Sequence, residues 1–207
     1  MSASCNDCGD DLASKQGAVL WIVLAINGAM FVVEMVAGVL ARSTSLLADA
    51  GDMLGDTLAY STSLYALNRG THWKARAAMV KGVIMAVFGI GVFAEAAFKL
   101  QSGIIPAAIT MGSVGALALV ANLICFGLLY RHRGDDVNMR SVWLCSRNDV
   151  VANIAVLAAA LGVWLSDSFW PDLLVGLGIA VLFFSSSFQV IREAAHILNT
   201  PTQPEAN

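Results

Sequence analysis

Long apolar runs separated by short polar breaks dominate the chain. Six stretches qualify: 17–40, 45–67, 77–98, 104–130, 141–165 and 170–191. A helix rises 1.5 Å per residue, so roughly 20 residues cross a hydrocarbon core about 30 Å thick. The breaks between them, "ARSTS", "NRGTHWKAR", "KLQSG", "RHRGDDVNMR" and "SDSFWPD", carry Gly, Pro and charge, as interhelical connections do. The pattern predicts an all-α integral membrane protein of six transmembrane helices, a single domain over 17–192. A polar segment over 1–16 is expected to lack fixed structure. The tail over 193–207 is too short to build a core of its own.

Composition agrees. The 207 residues are 57% hydrophobic and 13% charged, too little charge for a soluble domain. The N-terminal segment is polar and acidic, without the basic start of a cleavable signal. A net charge of −3 and the lack of a basic stripe give no footprint for a nucleic-acid partner. Four cysteines at scattered spacings, two of them within apolar stretches, make no disulfide framework.

Lysine and arginine fall unevenly. Lys15, Arg69, Lys74, Arg76, Lys81, Arg131, Arg133, Arg140 and Arg192 flank one side of the spans, and only Arg42 and Lys99 flank the other. The positive-inside rule then predicts cytoplasmic N- and C-termini. Trp21, Trp73, Trp143, Trp164 and Trp170 fall near span ends, where interfacial anchors belong.

Ionisable groups within a span cost a few kcal/mol or more each, so they face a partner or a cavity. Asp49, Asp52 and Asp56 follow i, i+3, i+7 in the second span and share one helical face. Cys145, Asp149 and Asn153 follow i, i+4, i+8 in the fifth and share another. Asp52 with Asp56, and Cys145 with Asp149, are each about 6 Å apart along their axes. Two such pairs on facing helices supply four ligands for Zn²⁺ or a similar divalent ion. The alternative is structural, with the aspartates capping, hydrogen-bonding or pairing with Arg147. Three carboxylates against one arginine are poorly compensated, which favours the metal reading. Arg147, on nearly the opposite face to Cys145 and Asp149, is expected to reach the interface.

Depth is the difficulty. Measured from the outer boundary, Asp52 and Asp56 lie ~13–20 Å in, whereas Cys145 and Asp149 lie ~25–31 Å in. Tilt, or a fifth helix projecting past the outer face, would bring them level.

The remaining candidates divide. Glu95 and Lys99 at i, i+4 suggest a local ion pair. Glu34, deep in the first span, fits either an access or proton-accepting role or a bond to a neighbouring helix. His72, His132 and His196 fall in loops and tail and read as solvated. "CNDCGDD", with Cys5 and Cys8, supplies half a zinc site at most and is a candidate cytoplasmic docking point. Cys125 reads as a packing residue.

Taken in order, these residues resemble the cation diffusion facilitator family of metal–proton antiporters. "NGAMFVVEMVAGVLARSTSLLADAGDMLGD" is similar to the family's first two helices, and Asp52 and Asp56 fall on its second-helix metal motif. "FAEAAFKL" resembles the end of the third helix, "PAAITMGSVGALALVANL" the fourth, and "DLLVGLGIAVLFFSSSFQVIREAAHIL" the sixth. "CSRNDVVANIAVLAAALGV" resembles the fifth, with Cys145 and Asp149 on its ligand positions. Histidine is common where Cys145 stands and, in zinc-selective members, where Asp52 stands. No His-rich stretch separates the fourth and fifth spans. The resemblance implies a site facing alternate sides of the membrane and a homodimer. Members usually carry a cytoplasmic metal-binding domain after the sixth helix, which this chain, ending at Asn207, is expected to lack.

The expected function is therefore efflux of a divalent cation in exchange for protons. Zn²⁺ is the expected cargo and Cd²⁺ a further one; Mn²⁺, Fe²⁺ or Co²⁺ is the alternative within the family, since oxygen ligands tolerate them while a thiolate favours softer ions. No cofactor and no enzyme activity are expected. Two other classes remain open. An intramembrane aspartyl protease would use paired aspartates, although Gly51-Asp52 and Gly55-Asp56 lack the leading glycine of a G-x-G-D element. A metal-binding sensor would hold the ion without moving it. Divalent metal ions, protons and membrane lipid are the expected partners, and Asp49, Asn153 and Glu34 are candidate accessory or pathway residues.

Overall fold

The computed structural model describes the backbone of residues 5–66, 71–131 and 137–199; the side chains of 5–16, 62, 63, 65, 66, 71, 72, 137–142, 144 and 145 lie outside the described set. Six helices follow one another: α1 (Cys5–Ala41), α2 (Thr44–Ala66), α3 (Thr71–Ser102), α4 (Ala108–Tyr130), α5 (Val137–Ser166) and α6 (Trp170–Asn199). No strand occurs among the described residues.

One end of the bundle is tied together. α1 closes in a left-handed turn with Arg42 at φ 54°, and Ser43 N donates to Gly38 O at 2.9 Å. The chain re-enters a helix at once, because Ser43 Oγ accepts from Leu46 N at 3.2 Å as an N-cap. Ala107 N at the start of α4 donates to Ala41 O, and Lys99 near the end of α3 donates to Arg42 O. Asp172, in the first turn of α6, accepts from Thr44 N. The helices therefore alternate in direction, and the chain termini lie at the opposite end. We call the two the clasped end and the termini end.

Helix bounds differ from the expected spans where local chemistry intervenes. α4 begins at Ala108 rather than 104, since Gly103 takes φ +63° and Pro106 follows. α1 already starts at Cys5, so the backbone is helical through most of the segment expected to lack fixed structure. α6 continues to Asn199, into the first half of the expected tail.

Five helices are long and apolar enough to cross a membrane among the described residues, over Gly17–Ala41, Trp73–Ser102, Ala108–Tyr130, Ser146–Ser166 and Trp170–Asn199. The exception is α2. It packs against α1, α3, α5 and α6, so its aspartates face protein rather than lipid. Every residue from 43 to 51 is buried. The outer helices turn apolar side chains outward, Leu40, Ile109 and Leu182 among them. That inversion is what a hydrocarbon solvent requires.

Candidate metal centre

The α2–α5 register comes from one hydrogen bond. Asn153 Nδ2 donates to Asp49 Oδ2 at 2.7 Å. Asn153 stands thirteen residues before Ser166 and Asp49 five after Thr44, so α5 runs about eight residues, ~12 Å, past the start of α2. This projection removes the depth mismatch expected from the sequence. Asp149, one turn along from Asn153, comes within hydrogen-bonding reach of both Asp52 and Asp56.

Three carboxylates thus approach one another from two helices, partway along the bundle. Asp149 is 7% exposed, while Asp52 and Asp56 are only partly buried. Tyr60, at i+4, donates its hydroxyl to Asp56 Oδ2 at 2.7 Å and fixes that carboxylate's rotamer. Among the described residues no three His, Cys, Asp or Glu side chains converge tightly enough to enclose a metal ion by themselves. Cys145 lies on α5 one turn toward the termini end, but its side chain is outside the described residues. So are the side chains of Cys5, Cys8 and His72, and the whole of His132. Ser146, at i−3 from Asp149, is a buried hydroxyl without a hydrogen-bond partner. Sequence reading passed over it because serine is ordinary inside a helix.

Asp49 belongs to a different group. Asn122 Nδ2 on α4 donates to Asn153 Oδ1 at 3.0 Å, and Asn153 passes its own donor to Asp49. Glu34 on α1, 0% exposed, lies within hydrogen-bonding reach of Asp49. Neither Glu34 oxygen, nor Asp49 Oδ1, has a nitrogen or hydroxyl donor. The chain Glu34–Asp49–Asn153–Asn122 links α1, α2, α5 and α4. Asp49 therefore finds its partner in a neighbouring helix, while Glu34 is buried beside it without a donor. Asn122 was not foreseen; an amide alone in an apolar span was the available signal.

Two further placements correct the sequence reading. Glu95 and Lys99 do not form the expected local pair. Lys99, 1% exposed, bonds the carboxylate of Asp172, and Glu95 Oε2 accepts from Thr44 Oγ1 at 2.6 Å. The crossing helices offer each a better partner than its own turn does. Lys81, counted with the interfacial cations, stands on α3 where its charge bears on Asp52 and Asp56. Arg147 is exposed, as its face implied, and Cys125 is buried against α1 near Asn27.

A bundle of lipid-facing helices around a central acidic helix, met by a further carboxylate from α5, defines a multi-helix membrane protein. Comparison with known proteins gives its family. A model of the cation efflux transmembrane domain matches residues 20–199, and the chain belongs to that family, the cation diffusion facilitators. It is similar to the metal cation efflux system protein CzcD of Cupriavidus metallidurans, 25% identical over 191 residues, covering 86% of this chain and 60% of that one. It is similar to the cadmium, cobalt and zinc/H(+)-K(+) antiporter of Bacillus subtilis, 25% identical over 201 residues, covering 90% and 64%. The zinc transporter ZitB of Pectobacterium atrosepticum is 28% identical over 195 residues, covering 86% and 60%. The chain spans under two thirds of the length of these relatives.

Proposed function

We propose that this chain exports a divalent transition-metal cation, with Zn²⁺ as principal cargo and Cd²⁺ as a second, in exchange for protons. One observation carries the reading: Asp149 of α5 reaches both Asp52 and Asp56 of α2 in the middle of the bundle. Isolated intramembrane carboxylates are costly, and three together are a site for a cation. Cys145, one turn from Asp149, is assigned as the fourth ligand. Its thiolate would favour Zn²⁺ or Cd²⁺ over harder ions. The relatives' names, which include zinc, cadmium and cobalt, point the same way.

Coupling follows from ligand chemistry. A carboxylate or thiolate binds metal only when deprotonated, so protons and metal compete for the same atoms. A site open to an acidic exterior takes protons and releases metal; a site open to the cytoplasm does the reverse. The termini end is assigned to the cytoplasm on the Lys/Arg bias. All six helices are assigned as spans, α2 being carried across inside the bundle. A homodimer is the proposed assembly.

Inverted vesicles containing the full chain, with an imposed pH gradient and a panel of divalent ions, test the reading. Zn²⁺ and Cd²⁺ uptake that collapses with the gradient is expected. Metal binding without uptake would make the protein a sensor, and cleavage of a membrane peptide without metal dependence would make it a protease. Cys145→Ser should change the Zn²⁺ and Cd²⁺ rates; unchanged rates for both would remove Cys145 from the ligand set.

A further inference from the structure

α2 and α3 pack through glycines, and the contacts set their register. A side chain at Gly51 would meet the ring of Phe88 at 2.8 Å, and one at Gly55 would meet Met85 Cε at 3.0 Å. Continuing that antiparallel register puts Lys81 opposite Ala59, ~5 Å from Asp56 along the axis and on its termini side. Lys81 also borders a cavity of about 350 Å³ whose walls are Leu58 of α2 and Trp73, Arg76, Val80 and Ile84 of α3. Trp73, Arg76, Val80 and Ile84 repeat at helical spacing with Lys81, so they form one stripe of α3. The walls of this cavity are apolar except for its two cations. An ammonium partly buried there is drawn to the nearest anions, and Asp52 and Asp56 both lie within its field.

We propose that Lys81 is a tethered cation that competes with the metal ion for the Asp52–Asp56 carboxylates, lowering the affinity of the site and speeding release. This rests on the metal-site reading above. The mechanism needs only the permanent positive charge. Without metal, the charge of the ammonium bears on both carboxylates and offsets part of their mutual repulsion. With metal bound, the same charge repels the ion from a few ångströms away. The site is thereby held at an affinity from which the ion can leave. Arg76, on the same stripe but more than a turn nearer the termini end, is too far to share this role.

The full chain, purified in detergent and reconstituted into proteoliposomes, tests the proposal. Zn²⁺ binding is measured by titration calorimetry and transport by Zn²⁺ flux. Lys81→Met, of similar length and neutral, is expected to bind Zn²⁺ about tenfold or more tighter, the size of a unit charge acting on a divalent ion from ~6 Å even at the dielectric of water. Its KM should fall, and its maximal rate should fall too because release slows. Lys81→Arg should stay within about threefold of wild type in both. Arg76→Met should leave Zn²⁺ affinity within about twofold, since its charge is screened at that distance. Lys81→Gln serves in place of Lys81→Met if the latter does not elute as a folded species. Neutral variants that bind Zn²⁺ no tighter than wild type would overturn the proposal while leaving the metal site intact. A wild type that binds none of the divalent ions would overturn the site and the proposal together.

Discussion

Two regions of the bundle hold buried charge and treat it in opposite ways. At the clasped end, Asp172 receives five donors: Ser43 Oγ at 2.7 Å, Ser45 N at 3.0 Å, Ser45 Oγ at 2.6 Å, Thr44 N at 2.8 Å and the Lys99 ammonium. Its carboxylate sits on the first amides of α2, where the helix dipole also favours negative charge. Midway along α2, Asp52 and Asp56 lie beside Asp149 of α5, three carboxyl groups in one neighbourhood. The clasp is closed, fully paired and shielded from solvent. The aspartate group is under-compensated and partly accessible. Charge that holds a structure together is neutralised within the protein; charge kept for a ligand is left incomplete.

Asp172→Ala should break the clasp and gives the largest expected loss. It leaves Lys99 buried without its counter-ion and uncaps α2, so unfolding free energy in detergent should drop by about 3–5 kcal/mol. Thermal unfolding followed by helix signal checks this. A drop no larger than that of a surface control would show the pair to be dispensable. Asp172→Asn keeps the acceptor oxygen for the α2 amides but loses the charge, and should fall between Asp172→Ala and wild type.

Gly176→Ala comes next. It lies one turn below Asp172, where an added Cβ would meet Thr44 C at 2.7 Å and Ser45 N at 2.8 Å. Both neighbours are backbone and neither can yield, so α6 must move away from α2. The expected cost is about 1–3 kcal/mol in the same unfolding measurement. Gly55→Ala meets the flexible tip of Met85 together with Phe183 Cε2 at 3.1 Å, and should cost less. Equal losses at the two glycines would mean that the clasped end is no more rigid than mid-bundle. Asn153→Ala is smaller again. It removes the bridge between Asn122 and Asp49, leaving a buried amide and carboxylate oxygen short of a partner, at about 1–2 kcal/mol.

The same distinction explains what the sequence disclosed. Helix number was legible because lipid demands apolar surface over ~20 residues at a time. Both aspartate positions were legible because a carboxylate in such a run is conspicuous, and i, i+4 spacing marks a shared face. Lys99 and Asp172 were visible as charges, but their pairing was not. Lys99 has Glu95 one turn away in its own helix, and local spacing pointed there. The true partner is distant in sequence and arrives only through the packing of α6 on α3. The bearing of Lys81 on Asp56 was hidden for a related reason, since it emerges only when the Gly51–Phe88 and Gly55–Met85 contacts fix the α2–α3 register. The depth mismatch had the same origin, since span ends carry no information about how far one helix slides past another.

The smallest expected change in stability belongs to the aspartates themselves, and it separates the two regions most sharply. Asp52→Asn preserves shape and removes one of three like charges, so repulsion at the site falls. Stability should be unchanged, or rise by up to about 1 kcal/mol, as happens where a site is kept strained for its ligand. Zn²⁺ binding and proton-coupled uptake should nevertheless be lost, because an amide oxygen does not replace an ionised ligand. Asp149→Asn should behave alike, and with it metal-dependent proton flux in proteoliposomes should vanish. Normal flux in that variant would remove Asp149 from the site. A destabilisation matching that of Asp172→Ala, at either position, would place these carboxylates with the clasp as structural groups.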